Sequence, residues 1–377
     1  MKRTLAASAA AIAMAVGAIA TALVGSPAAF ADDNPPAAKP VLANGFGLTQ
    51  LPTAPRPNEV ADTPFDFTIT VSTSEVAGTA MNDGGHHIRI VLPSDYYSNP
   101  TKHYPTLYLL NGASTTSDPA TYFNYYSSTI NSNAGMIFVM PDGGTRGWYT
   151  NWLNQNSAAG AQRWENFHIN QVIPFIDANL RTTADKAHRA IAGISMGGFG
   201  AVRYAERHPE LFSQTASFSG DLDLSRMSMD LRMVAVVGSE LTFPPAVGSD
   251  DIFGTPYPFS VNYPFSDVLW NDASPGAHAD QLSGIGVSFY VGNGGGGATP
   301  PVPGVNDPYN LALEWWLPGA AEHFKNALNA AGVPYHYVNY GDGTGTAWES
   351  CKGGHNGLCW NQDLIDYIPR LQQSFGI

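Results

Sequence analysis

The chain has 377 residues, with 18 Lys+Arg against 31 Asp+Glu, a formal net charge of −13 and only 13% charged residues. That acidic balance argues against nucleic acid or an anionic membrane surface as the main partner. The 39 glycines and 28 prolines fit a loop-rich chain whose sheet is buried on both faces, and the length is that of one large domain.

The first 31 residues read as a targeting segment. Lys2-Arg3 is a basic n-region, residues 5–24 are Ala-rich and apolar, and Ala29-Phe30-Ala31 is a cleavage signal before Asp32. A cleaved signal peptide predicts a secreted or cell-envelope protein. The apolar run is long for that role, so an uncleaved anchor is the alternative. Removing the segment takes away Lys2 and Arg3 and no acidic residue, moving the net charge from −13 to −15. No later stretch is long and apolar enough to span a bilayer. Residues 32–62, punctuated by prolines, read as a linker or a strap on the surface, which leaves residues 63–377 as a single domain.

Residues 65–71 alternate as a strand should, and residues 87–92 follow as a second strand after the turn residues 82–85, so the two form an opening antiparallel pair. Residues 106–110 and 136–140 are short and almost wholly apolar, the pattern of central parallel strands covered on both sides. The first runs into Asn111-Gly112-Ala113 and the second into Pro141-Asp142-Gly143-Gly144. Helical spacing over residues 164–176 then leads to a strand at residues 190–192, a βαβ alternation. Residues 215–220 give another strand, and residues 222–284 predict irregular or helical cover near the site. A strand at residues 287–291 is followed by a glycine run that lacks the ending of a phosphate-binding loop. Residues 311–331 read as a helix broken near Pro318, residues 335–338 as the last strand, and residues 364–375 as a closing helix.

The chemistry centres on Gly193, Ser195 and Gly197, a G-x-S-x-G set between an apolar strand and a helix-forming stretch. Small residues on either side let a strained serine stand clear of the sheet, which makes Ser195 the candidate nucleophile of an α/β-hydrolase fold: a mostly parallel central sheet with helices on both faces. Such a serine needs a base, and the base needs a carboxylate to hold its tautomer. The chain order Ser, acid, His in this fold leaves His323, His336 and His355. His323 falls within a helix and His336 within a strand, whereas His355 lies in a Gly-rich loop after the last strand, so His355 is the expected base. Pattern leaves Glu314, Glu322 and Asp307 open as the acid, with Glu322 slightly ahead. The oxyanion hole is expected at the N–H of Met196 and, from the loop after an earlier strand, of Ala113.

The two cysteines, Cys351 and Cys359, are expected to pair in an exported chain and to clamp the His355 loop. Two cysteines without a matching His pair argue against zinc. His86 and His87, neighbours on a strand, point to opposite faces and read as structural. No metal or cofactor is expected, since serine acyl transfer needs none.

These residues resemble the secreted mycolyltransferases of the antigen 85 group, within the esterase D-like α/β-hydrolases. The resemblance rests on residues 109–113, residues 138–144 followed by Trp148, Tyr149, Asn151 and Trp152, on Trp164 and Glu165, on residues 193–196, and on His355 five residues before Trp360. It implies Ser195 as nucleophile, Glu322 as acid and His355 as base, with oxyanion donors at Met196 and Ala113. It further implies that Asn111, Ser114 and Trp360 meet substrate, although the charged Asp and Arg that some relatives carry near the first two are absent here. The implied reaction takes an acyl group from a trehalose ester onto Ser195 and passes it to a sugar hydroxyl. A carboxylesterase acting on acyl esters of carbohydrates, with water as acceptor, and a non-catalytic binding protein on the same fold are the alternatives.

Overall fold

Burial alternates residue by residue along the central strands. Tyr108, Leu110, Val139 and Ile191 pack into one apolar cluster, while Leu107, Leu109, Phe138, Met140, Ala190 and Ala192 pack into another. A strand buried on both faces has this property, because successive side chains leave opposite sides of the pleat. The computed structural model describes residues 38–52, 62–77, 81, 84–114, 117–225, 249–254, 265–294 and 308–377. The expected targeting segment at residues 1–31, the candidate acid Asp307 and the turn residues 82–83 lie outside the described residues.

Among the described residues nine strands form one sheet: β1 (Thr49–Leu51), β2 (Asp66–Ser72), β3 (His86–Val91), β4 (Thr106–Leu110), β5 (Ile137–Pro141), β6 (Arg189–Ile194), β7 (Gln214–Phe218), β8 (Gly286–Gly292) and β9 (Tyr335–Gly341). Their order in space is β1-β2-β3-β5-β4-β6-β7-β8-β9. The first three strands and the β3–β5 pairing are antiparallel, and every pairing from β5 to β9 is parallel. The fold is a mostly parallel α/β sheet with helices on both faces, as the sequence predicts. The expected antiparallel pair is β2 and β3. One difference lies in the stretch read as a linker or strap: Thr49–Leu51 adds to the sheet as an edge strand, pairing Gln50 with Val71.

Among the described residues the α-helices are α1 (Pro119–Tyr122), α2 (Ile173–Asn179), α3 (Met196–Arg207), α4 (Ser249–Phe253), α5 (Phe265–Ala273), α6 (Pro308–Ala331) and α7 (Gly357–Phe375). Helices α2, α3 and α6 cover one face through Phe175, Phe199, Val202, Phe324 and Leu328. Helix α7 covers the other through Leu364, Tyr367 and Leu371, each contributing roughly 1.5–3 kcal/mol of burial. Ahead of α2, residues Asn166–Val172 form a π-helical stretch. Pro174 has no N–H to return to the carbonyl of Asn170, which accords with the wider ladder there. Helix α6 runs through Pro318 as one element, where the sequence reading expects a break. Helices α4 and α5 supply the helical cover expected after β7.

Candidate active site

Strand β6 ends at Ile194 and helix α3 begins at Met196, so one residue, Ser195, makes the whole turn. Its backbone sits at φ 54° and ψ −121°, a region that costs a non-glycine residue on the order of 1–3 kcal/mol. The flanking glycines make the turn possible. A Cβ on Gly193 would stand 2.1 Å from the carbonyl oxygen of Gly197, and one on Gly197 would stand 2.3 Å from that of Leu110. The strand end is held by the Ser195 N–H, which donates to the carbonyl of Phe218 at 2.8 Å. The half-buried Ser195 thus stands at the C-terminal edge of the parallel strands, the edge where sites form in open α/β sheets.

His355 arrives from the loop between β9 and α7. Its Nε2 lies 2.9 Å from Ser195 Oγ and its Nδ1 lies 2.8 Å from Glu314 Oε2. These partners set the tautomer: Nδ1–H donates to the carboxylate, and Nε2 accepts from the serine hydroxyl. The loop is fastened at several points. The carbonyl of Gly353 accepts from the Gly294 N–H at 3.0 Å, and Asn356 caps α7 by accepting from the N–H groups of Leu358 and Cys359. Cys351 and Cys359 are bonded and fully buried, enclosing His355 in a short covalent loop. Trp360 stands edge-on to the His355 ring, with centroids 4.9 Å apart.

The carboxylate partner of His355 is the principal correction to the sequence reading. Glu314, not Glu322, meets His355, and its side chain is fully buried. Its second oxygen, Oε1, accepts from Ser219 Oγ at 2.8 Å and from the Gly292 N–H at 2.7 Å, so the carboxylate is held at both ends. Glu322 is 44% exposed and pairs with Lys325 on the same helix. Direction explains the difference. A helix that links parallel strands begins at the C-terminal edge of the sheet and descends away from it, so eight residues further along α6 is about 12 Å further from the serine. Between the two glutamates of α6, proximity to the end of β8 was the signal that would have favoured Glu314. Ser219 and Gly292, which anchor the acid, carry no motif that marks them.

The loop after β4 lies beside Ser195. A Cβ on Gly112 would stand 3.1 Å from Ser195 Cβ, so this loop runs directly beside the nucleophile. Ala113 is exposed there. Met196, as the first residue of α3, has an N–H with no acceptor inside the helix. Asn111, expected to meet substrate, is instead fully buried, and its side chain is engaged by the protein. Its Nδ2 donates to the carbonyls of Gly112 at 3.0 Å and Gly144 at 3.3 Å, while Oδ1 accepts from the Gly143 N–H at 2.9 Å. Ser114 is partly buried, and its N–H donates to the carbonyl of Thr145.

Behind this loop lies a buried polar set that includes His86, which the sequence reads as structural. His86 Nδ1 lies 2.6 Å from Asp142 Oδ2, and Asp142 Oδ1 accepts from the Gly144 N–H at 2.8 Å. His168 Nε2 faces the carbonyl of Asp142, so its Nδ1 accepts from the Tyr204 hydroxyl at 3.0 Å. Burial pushes His168 down to about 4, which keeps the ring neutral. His87 faces the other way, with Nδ1 3.0 Å from Asp118, as neighbours on a strand must. On the other side of the site, burial pushes the Asp221 carboxyl up to about 7, with His355 opposing the rise and Glu314 adding to it. Among the described residues no group of three or more His, Cys, Asp or Glu is placed to hold a metal ion, and no helix is long and apolar enough to cross a membrane.

Comparison with known proteins shows the family to which the chain belongs. The esterase MT1326 of Mycobacterium tuberculosis is 37% identical over 253 residues, 66% of this chain and 50% of the relative, so the chain spans about half the length of that relative. The diacylglycerol acyltransferase/mycolyltransferase Ag85A of Mycobacterium leprae is 26% identical over 291 residues, 74% of this chain and 78% of the relative. Among solved structures, Mycobacterium tuberculosis MPT51 superposes with a TM-score of 0.58 at 18% identity, covering 82% of this chain and 98% of that one. An S-formylglutathione hydrolase from Agrobacterium tumefaciens superposes at 0.55 and 13% identity, covering 85% of this chain and all of that one, and these two likenesses bear on the fold alone. The Esterase family model, described as "Putative esterase", matches residues 79–371, and the chain belongs to the Esterase family on the α/β-hydrolase fold.

Proposed function

We propose that the chain is a serine esterase that forms an acyl-enzyme on Ser195. The observation that carries this reading is the unbroken run from Ser195 Oγ to His355 Nε2 at 2.9 Å and from His355 Nδ1 to Glu314 Oε2 at 2.8 Å. In this reaction Ser195 Oγ attacks the ester carbonyl while His355 takes its proton, and the alcohol leaves with that proton. Water then enters, gives a proton to His355 and attacks the acyl carbon, and the carboxylic acid departs as Ser195 regains its proton. Glu314 holds the ring and stabilises the imidazolium. Its three hydrogen bonds keep it in place without a change of geometry. The N–H groups of Met196 and Ala113 receive the oxyanion. Ser114 and Trp360 border the approach of substrate. The scheme calls on no cofactor.

Hydrolysis is favoured over transfer by the name of the 37% identical relative, an esterase, and by Asn111, whose buried amide is already used and is not presented to a sugar. Transfer from a trehalose ester to a sugar hydroxyl is the second reading, supported by the 26% identical mycolyltransferase. Every residue of the triad serves both, because only the acceptor of the second step differs. The leader at residues 1–31 supports export, and so a secreted or envelope-held enzyme acting on carbohydrate esters.

A fluorophosphonate probe is expected to label the wild type and not Ser195→Ala. A folded wild type that takes up no probe would refute catalysis and leave a binding protein on this fold. Incubation with a trehalose monoester then separates the two enzyme readings: free acid supports hydrolysis, and trehalose diester supports transfer.

A further inference from the structure

We propose that Asn111 is the positioning residue of the oxyanion hole, setting the direction of the Ala113 N–H through the peptide that joins Gly112 to Ala113. The inference rests on the esterase reading and concerns the same site.

A trans peptide is planar, and its C=O and N–H point in opposite directions. Fixing one therefore aims the other. The carbonyl of Gly112 is fixed, since it accepts from Asn111 Nδ2 at 3.0 Å inside the protein. The N–H of the same peptide belongs to Ala113, and it is turned away from the Asn111 amide, on the side where Ala113 is exposed. The Gly112 Cα itself is held against the nucleophile turn, where a Cβ would stand 3.1 Å from Ile194 O and from Ser195 Cβ and 2.6 Å from the Tyr122 hydroxyl. On its other side the Gly112 N–H donates to the Tyr122 hydroxyl at 2.9 Å. Both peptides of Gly112 are thus anchored by buried or half-buried side chains, and the carbonyl between Gly112 and Ala113 depends on Asn111.

The Asn111 amide is in turn prevented from rotating. Its oxygen accepts from the Gly143 N–H at 2.9 Å and its nitrogen also donates to the Gly144 carbonyl, while the Tyr149 hydroxyl donates to the Asn111 backbone carbonyl at 2.8 Å. A donor meets the oxygen and carbonyls meet the nitrogen, so a flipped amide would lose every partner. The loop that supplies these groups is fastened by the buried Asp142, which accepts from the Gly144 N–H and contacts His86. A chain of short contacts runs from His86 to the oxyanion donor, and Asn111 is its last side chain. Leaving a buried amide with all its bonds made, beside the reacting centre, suits a group that must aim a dipole without moving during the reaction.

The test is Asn111→Asp with a short-chain p-nitrophenyl ester, with rates normalised to active sites titrated by the fluorophosphonate. The carboxylate keeps the volume and the acceptor for the Gly143 N–H, but it places an oxygen against the Gly112 carbonyl and so turns that peptide. The expected result is a fall in kcat of about a hundredfold, the scale for loss of one oxyanion donor, with KM changed less than about threefold. Inhibition by a trifluoromethyl ketone, whose adduct carries the oxyanion, should weaken in parallel. Tyr122→Phe, which releases only the other anchor of Gly112, should lower kcat by about three- to tenfold; it decides the matter if Asn111→Asp does not fold. A kcat retained per titrated site overturns the proposal, as does a loss carried wholly by KM, which would make Asn111 a substrate contact. A wild type with no acyl-enzyme overturns both this inference and the esterase reading, whereas an active wild type with unaffected variants overturns this inference alone.

Discussion

Glu314 places one carboxylate oxygen 2.8 Å from His355 Nδ1 and spends the other on the Ser219 hydroxyl and the Gly292 N–H. The acid is therefore tied to the ends of two neighbouring strands, β7 and β8, as well as to the base. A carboxylate held in this way controls the tautomer of the histidine more strictly than an exposed one could, because it has no alternative rotamer that keeps all three bonds.

Substituting each glutamate separately tests the assignment. Glu314→Gln is expected to lower kcat by about three to four orders of magnitude, since the amide can present an N–H to Nδ1 and favour the wrong tautomer. Glu322→Gln, which removes only the surface pair with Lys325, should leave ester turnover within about twofold and cost no more than about 0.5 kcal/mol. Steady-state kinetics on one ester distinguishes them, and the reverse ranking would restore Glu322 as the acid.

The Cys351–Cys359 bond spans eight residues, and the chain-entropy argument assigns it only about 2.5 kcal/mol. Its position makes it matter for activity, because the closed loop contains His355. The Cys351→Ser/Cys359→Ser double variant should lower the urea midpoint by the amount that corresponds to that energy. It should also lose activity at temperatures where the protein remains folded. Unchanged turnover at 25 °C together with an unchanged midpoint would show that the bond does not clamp the loop.

Asp221 predicts a pH dependence of stability with a definite sign. Its folded value of about 7 lies above the ordinary carboxylate value, so the native state holds a proton that the unfolded chain has released. The stability this contributes is full below about pH 4 and is lost as the pH rises through about 7. Asp221→Asn should therefore raise stability at pH 8 by roughly 1–3 kcal/mol relative to the wild type and have little effect near pH 4. Chemical denaturation of both proteins at the two pH values measures the difference, and equal shifts at both would refute the assignment.

His168 acts in the opposite direction. Its folded value of about 4 lies below the ordinary imidazole value, so the unfolded chain takes up a proton in mild acid before the native state does. Stability should decline as the pH falls from about 6.5 towards 4. Replacement by Gln, which can still donate to the Asp142 carbonyl, should flatten that part of the profile while costing about 1–2 kcal/mol at pH 7 from lost ring packing. A profile of unchanged slope would count against a neutral, buried His168.

Much of the fold was legible because its signals are local. The apolar runs at Thr106–Leu110 and Ile137–Pro141 declare strands covered on both faces, and the glycines around Ser195 declare a turn that no larger residue could make. The loop position of His355 follows from the same kind of signal. Boundaries were less legible: α7 begins at Gly357, seven residues before the apolar periodicity is clear, because Asn356 caps it with a side-chain bond that leaves no mark in the hydrophobic pattern. Thr49–Leu51 is too short and too exposed to alternate visibly, and it is a strand because Val71 and its neighbours offer it an edge.

The amino-acid sequence by itself singled out Ser195 and His355 as candidate nucleophile and base, and it determined the parallel sheet and the pairing of the two cysteines, since each depends on residues close together in the chain or on the chain order of the elements. Only the tertiary structure decided which carboxylate meets His355 and what Asn111 does. Both questions turn on distance across the molecule: Glu314 and Glu322 share one helix and one residue type, and they differ only in how far down that helix lies from the edge of the sheet. Asn111 reads as a polar residue beside a catalytic loop until the Gly143 N–H and the carbonyls of Gly112 and Gly144 close around it. A hydrogen-bonding side chain takes its role from the partners that folding brings to it, and those partners come from 32 or more residues away in the chain as readily as from the next one.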